Sequence, residues 1–360
     1  MSSKDEISKP KKARRFLRPR AKKSSGSSVN HDSIPRITND NVHEHREEVI
    51  SGAKKYVYPL KQSRHKIVII SVSIIVALFV GFMSYTLLSL YKFQDTSKFT
   101  YQITKIIPFP VARVGGQFVS YEKYLFELRH YIHYFENQQE LDFTTQSGKD
   151  QLKEQKKRSL DQVINEAYIK KIAKEKNISV SSEEVDKQIE LLRSQNRLGA
   201  DNSIYEDVLK DFWGWSVEDF RRSISAEILK NKVIQQLDPS VKTEADKALA
   251  ELNAGKDFAS VAKTYSDDET TKDKGGELGF LISKSDRNIP PQTAEVLFNL
   301  KPGQTSGVID LGYGLEIIKN IENQGEKIKA ARIFFAYKDL DSYLNDYKAE
   351  QKARSYIKVN

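Results

Sequence analysis

Gly255-Lys256-Asp257-Phe258-Ala259, Tyr265-Ser266-Asp267-Asp268, Gly275-Gly276-Glu277-Leu278-Gly279-Phe280, Leu300-Lys301-Pro302-Gly303-Gln304-Thr305-Ser306-Gly307 and Gly314-Leu315-Glu316-Ile317-Ile318-Lys319 follow one another between residues 255 and 319. Just upstream, Ala245, Ala248, Leu249 and Leu252 recur at helical spacing, and Gly255 supplies a C-terminal stop. Phe258, Val261, Ala262 and Tyr265 predict a second short amphipathic helix. Gly275-Gly276 permits a tight turn with positive φ before a strand over 277–282. Pro290-Pro291 excludes helix immediately before it yet suits a helix start, so 293–300 reads as a short helix. Leu315 to Ile321 is a β-rich run. The expected product is a compact α+β domain with helices on one face of a small sheet.

Upstream of this domain the pattern changes twice. From Tyr121 to Asp238 it is helical with brief interruptions. Leu160, Val163, Ile164, Ala167, Tyr168 and Ile172 form an amphipathic stripe, and Ser181-Ser182-Glu183-Glu184 and Ser216-Val217-Glu218-Asp219 read as capping boxes. Val111 to Ser120 alternates like a small hairpin that ends on a helix N-cap, Ser120. Residues 92–110, closing on Pro108-Phe109-Pro110, read as a stalk.

Ile67 to Tyr91 runs for 25 residues without a charge. As a helix it reaches roughly 37 Å, enough to cross a hydrocarbon core of about 30 Å with some tilt. It is too long for a cleaved leader's apolar region, and no small-x-small site follows it, so an uncleaved signal anchor is expected. Residues 1–66 hold 17 Lys and Arg against 7 Asp and Glu, whereas the rest of the chain is balanced at 41 against 42. That basic flank predicts a cytoplasmic tail and an extracytoplasmic remainder in the cell membrane. The tail is rich in Lys, Arg, Ser and Pro and poor in apolar residues, so disorder is expected over 1–66, with anionic lipid as its candidate partner at about 1 kcal/mol per basic residue near the surface. No nucleic-acid partner is expected.

The ordered set between 255 and 319 resembles the parvulin family of peptidyl-prolyl cis-trans isomerases, the rotamase (PpiC) domain of SurA- and PrsA-type foldases. Val111–Ser120, the helix from Leu160 to the Asn177-Ile178-Ser179-Val180 exit, and Trp215-Ser216-Val217-Glu218-Asp219-Phe220 resemble the helical chaperone region of the same foldases. The resemblance implies a SurA-like helical domain over 111–238, a rotamase domain with a four-stranded antiparallel sheet over 239–337, and a C-terminal helix over 338–360 packed back on the helical domain. It implies unfolded or extended exported polypeptides as partners and requires no cofactor or metal. The absence of cysteine, and of histidine after residue 133, excludes most nucleophilic and metal chemistry in that half.

Prolyl isomerisation needs no covalent step. The barrier of about 18–20 kcal/mol is lost amide resonance, lowered by desolvating the carbonyl and holding the twisted form. In the family two histidines, on the first and last strands of the sheet, brace the groove beside an Asp or Cys, and a Met and a Phe wall the proline pocket. Carried over by position, the last-strand histidine is Glu316, the acidic member Asp268, and the pocket pair, counted back from Phe298, Ile289 and Thr293. Leu278 and Phe280 complete the expected substrate-binding set. A first strand before the first helix is missing, because Leu237-Asp238-Pro239-Ser240 joins helix to helix. Lys329-Ala330-Ala331-Arg332-Ile333-Phe334-Phe335 looks like that strand, with Arg332 at its histidine. Two readings stand: a circularly permuted sheet in which Arg332 meets Glu316, or the start of a second, degenerate rotamase domain. For function three stand: an active isomerase, a non-catalytic foldase or holdase, and a structural membrane protein. The replaced histidines favour the second, with turnover weak or lost.

Overall fold

The computed structural model describes residues 37–57, 60–195, 198 and 201–359. The chain divides into two units, Met1–Phe79 and Val80–Asn360. The first 36 residues of the expected disordered tail lie outside the described residues. The remainder of that tail departs from expectation: helix α1 spans Asn39–Val57. Its charges explain why. Asp40 lies in the first turn, Glu44, Glu47 and Glu48 follow, and Lys54 comes near the end, an order that opposes the helix dipole at both termini. His45 reaches Glu48 at 3.4 Å, and the Ser51 hydroxyl donates to the Glu48 carbonyl.

Helix α2, Leu60–Leu87, continues through one π turn, Leu88–Phe93. Between His65 and Phe93 it is long and apolar enough to cross a membrane, and from Ile67 to Phe79 its side chains are exposed. Its far end behaves differently. Ser89 and Leu90 are buried, the Tyr121 hydroxyl donates to the Leu90 carbonyl at 2.6 Å, and Tyr91 donates to the carbonyl of Pro110 at 2.7 Å.

The expected stalk over 92–110 is instead packed structure. Ser97 caps helix α3, Lys98–Ile106, by accepting from the Thr100 amide, and Thr100, Ile103 and Thr104 face inward. Two of those three inward residues are threonines, so an apolar-only pattern misses the face. Strands β1, Pro110–Val114, and β2, Gln117–Ser120, form a hairpin, and Ser120 caps α4, Tyr121–Gln138, from its side-chain oxygen. Helices α5, Gln146–Glu175, α6, Ser182–Ser194, α7, Asn202–Val208, and α8, Val217–Leu237, complete the helical region. Both capping boxes form, Ser181 with Glu184 and Ser216 with Asp219. Tyr121 and Tyr124 are core residues packed with Leu90, Val111, Leu128, Val163 and Ile172. Trp215 stacks on Phe126 at 5.6 Å and on His130 at 4.3 Å.

Helices α9, Pro239–Asn253, and α10, Phe258–Tyr265, lead into β3, Glu277–Ile282. After α11, Pro291–Leu297, come β4, Ile309–Asp310, β5, Gly314–Gln324, and β6, Lys327–Ala336. The four strands pair antiparallel in the order β3-β6-β5-β4. Helices cover both faces of this sheet, not one. Leu315 and Ile317 point to Ala245, Phe258 and Val261 of α9 and α10, while Ile318 packs with Ala294 and Leu297 of α11. The run Gly-Leu-Glu-Ile-Ile in β5 is therefore buried residue after residue, the signature of a strand roofed on both sides. Gly276, at φ +82°, is fixed by close approach: its carbonyl accepts from the Arg332 amide, and a Cβ there would sit 2.5 Å from the Arg332 carbonyl.

After β6 the chain returns to its start. Helix α12, Leu340–Glu350, seats Leu344 in the core that holds Leu90, and strand β7, Arg354–Ser355, pairs with β1. Leu90→Ala should cost about 2–5 kcal/mol in denaturant unfolding of the full chain in detergent micelles, whereas Leu78→Ala, at an exposed position, should change stability by no more than about 0.5 kcal/mol. Equal effects would show that the end of α2 is not part of the folded core.

Candidate functional site

Three charged side chains meet on one side of the sheet. Arg332 stands on β6 and Glu316 on β5, two pairs apart in the ladder and on the same face, since Ile318 pairs with Arg332 and Glu316 with Phe334. Asp268 arrives from the loop after α10, which runs beside β6. There the Asp267 amide donates to the Phe334 carbonyl, the Phe334 amide to the Ser266 hydroxyl at 3.1 Å, and the Ala336 amide to the Asp267 carboxylate at 2.8 Å. Asp267 thus holds the loop in place and Asp268 is left to face the guanidinium.

Arg332 donates from Nε at 2.9 Å and lies 2.8 Å from Nη2 to the same Asp268 oxygen, while its Nη1 lies 3.9 Å from Glu316. Asp268 also accepts from the hydroxyls of Thr270 and Thr271, each at 2.6 Å. Glu316 is 1% exposed and takes its hydrogen bond from the Thr293 hydroxyl at 2.8 Å. Arg332 also lies 5.5 Å from the centroid of the Phe334 ring, which Tyr313 approaches at 5.8 Å.

The two carboxylates are pushed in opposite directions. Burial works to raise Asp268, but hydrogen bonds from Thr270, Thr271 and Arg332, together with the Arg332 charge, outweigh it and hold the carboxyl well below the usual range. Burial raises Glu316, the Thr293 hydrogen bond and the Arg332 charge oppose it, and the Asp268 charge adds to the rise. The arrangement can brace loop and sheet: Arg332 directs Nε and Nη2 to Asp268 and Nη1 toward Glu316, which is held under α11. Among the described residues no His, Cys, Asp and Glu group could hold a metal ion.

A cleft of about 1130 Å³ opens beside this cluster. Ile289, Tyr313 and Arg332 line it on the sheet side, and Leu191, Ile228 and Asn231, from α6 and α8, line it opposite. Asp268, Glu316, Arg332 and Thr293 are therefore brought together. Ile289 is buried in the core with an edge on the cleft, and Thr293 is 1% exposed beneath it. Leu278, Phe280 and Phe298 do not line the cleft: Leu278 and Phe298 are half-buried in the core with α11, on the same face of the sheet as Glu316, and Phe280 is exposed on β3. Tyr313 and Phe334 escaped the sequence reading. Their signals were the Gly312-Tyr313-Gly314 turn and an aromatic at the alternate position beyond Arg332.

The two shifts carry opposite pH signatures. Asp268, depressed in the folded state, contributes stability that is present above its unfolded pKa of about 3.9 and lost as pH falls below it. Glu316, raised in the folded state, imposes a cost that is absent in acid and grows as pH rises above about 4.3. Asp268→Asn should therefore lose about 1–3 kcal/mol at pH 7, a deficit that persists to about pH 4 and fades only as the pH falls below it. Glu316→Gln should gain stability at neutral pH, and that gain should fade in acid. Denaturant unfolding of both variants across this range checks the pair, and parallel rather than opposed profiles would refute the assignment.

Comparison with known proteins agrees with the sequence. The PPIC-type PPIASE domain (Rotamase) family matches residues 228–322, and the SurA-like N-terminal domain family matches residues 60–234. Foldase proteins PrsA from Clostridium botulinum, strains Kyoto (type A2) and Langeland (type F), are each 29% identical over 246 residues, covering 58% of this chain and 69% of theirs. A crystal structure of the peptidylprolyl isomerase PrsA from Bacillus anthracis is 23% identical, covers 53% of this chain and 88% of its own, and has a TM-score of 0.18. On its rotamase and SurA-like segments together, this chain belongs to the PrsA-like group of the parvulin-type (PpiC) peptidyl-prolyl isomerase and foldase family.

Proposed function

We propose that the protein is a membrane-anchored, extracytoplasmic foldase that binds extended segments of exported polypeptides and whose prolyl isomerase turnover is weak or lost. The observation that carries this reading is the Asp268–Arg332–Glu316 cluster. Matched by position, Glu316 and Arg332 take the places of the family's paired histidines, and residues 134–360 contain no histidine. A guanidinium locked to a carboxylate can brace two strands but is not free to follow a rotating carbonyl. The cleft between α6, α8 and the sheet, open to solvent and lined by both apolar and polar groups, supports binding of a polypeptide segment.

The sheet itself is read as circularly permuted. Strand β6 lies between β3 and β5, where it brings Arg332 within reach of Glu316, while the rotamase match stops at residue 322, before β6 begins. Helix α2 with its basic flank supports the anchor and an outward-facing domain.

The test uses the full chain in detergent micelles, because Leu90 belongs to the core and a cut at residue 92 would remove it. Isomerisation of a proline peptide should run at the uncatalysed rate, and aggregation of an unfolded client should still be suppressed. Brisk turnover would sink the loss of catalysis; failure to protect any client would sink the foldase reading.

A further inference from the structure

We propose that the face of the folded domain immediately beyond α2, built from Phe93, Phe99 and Ile106 and edged by Lys92, Lys98 and Lys105, lies in the headgroup layer of an anionic bilayer. The proposal rests on the reading of α2 as a membrane anchor and adds what the domain itself does at the surface.

Helix α3 has two opposed faces. Thr100, Ile103 and Thr104 are buried, whereas Phe99 is 60% and Ile106 83% exposed, one helical face apart by seven residues. Phe93, at the end of the π turn, is 68% exposed. Single apolar residues on a surface need no explanation, but these three fall within fourteen residues and continue the exposed apolar surface of α2 through Leu87 and Leu88. The three lysines alternate with them, and among the described residues none of the three is in an ion pair. Lys92 and Lys105 lie over the rings of Phe93 and Tyr101, at 5.7 and 4.5 Å.

The placement is fixed, not tethered. Ser89 on the last apolar turns meets Thr100 of α3 at 3.3 Å, and Asp95 binds the hydroxyls of Ser97, Thr100 and Ser89 together. Arg129 of α4 holds the Thr96 carbonyl. These bonds hold α3 beside the last apolar turns, Leu87 to Leu90, so where those turns meet a bilayer surface α3 lies next to it. A short helix with aromatic and aliphatic groups on its free face and lysines beside them matches the composition of helices that sit roughly 5–10 Å into the headgroup boundary, and the lysines favour anionic lipid.

The chain has no cysteine, so single-cysteine variants report one site each. Phe99→Cys, Ile106→Cys, Val76→Cys and Ser203→Cys of the full chain would each carry an environment-sensitive fluorophore in phosphatidylglycerol-containing vesicles. They would be read against brominated acyl chains and against aqueous iodide. The labels at 99 and 106 should be quenched by the brominated lipid and shielded from iodide roughly twofold relative to 203, as expected for one face sunk in the interface. Iodide access at 99 and 106 equal to that at 203, with the label at 76 quenched by lipid, overturns the proposal while leaving the anchor intact. Shielding without lipid quenching overturns it as well, since another protein surface would then be the cover. A label at 76 untouched by brominated lipid removes the anchor reading, and the proposal with it.

Discussion

The pairing of β5 with β6 is the constraint on which the C-terminal half depends. Ten register pairs join them from Gly314 with Ala336 to Gln324 with Lys327, and both helical layers are seated on the two faces this ladder presents. Because β5 alternates Leu315 and Ile317 toward α9 and α10 with Glu316 and Ile318 toward α11, a shift of one residue would exchange the faces and place Glu316 among alanines and phenylalanine. Register and charge placement are thus one requirement. The ion cluster exists because a carboxylate fixed at that position must be given a donor, and Thr293 and Arg332 are the groups within reach.

That requirement also explains the shape of the cluster. A buried carboxylate is tolerated when hydrogen-bonded or neutral, and Glu316 has one short hydrogen bond and a distant guanidinium. Asp268, nearer the surface, has the full set of donors. The charge is therefore concentrated on the Asp268–Arg332 pair, and Glu316 is the weaker member. Tyr313 and Phe334 close the cluster with rings in place of further polar groups. Such an arrangement stiffens the join between the loop after α10 and the sheet.

Much of this was legible from residues alone, and the failures have physical causes. Capping chemistry gave α4, α6 and α8, because Ser120, Ser181 and Ser216 mark their starts, and apolar periodicity gave α5, α9 and α10. The meeting of Asp268, Glu316 and Arg332 followed from position matching to a related pattern, which local sequence could not supply. The second helical layer was missed because α11 is short and its partner residues lie in β5, where unbroken burial reads as strand without saying what covers it. Helix α3 was missed because its inward face is mostly threonine. Tyr313 sits in a turn, where no period marks a side chain that faces a cleft, and α1 depended on charge order along a polar segment instead of on any apolar stripe.

Strand β7 and helix α12 close the same core that Leu90 and β1 open, so the helical region is a discontinuous domain with the sheet domain inserted into it. A nascent chain can complete the insert while the surrounding core still lacks Leu344 and Ile357, and that core becomes whole only when residues 340–357 arrive. Its closing contacts join Leu90 to Leu344 and Ile357 across most of the chain, so forming them carries a large loop entropy that a folded insert shortens considerably. Synthesis order therefore makes the rotamase-like insert the first piece to settle, and the helical cradle around it the last.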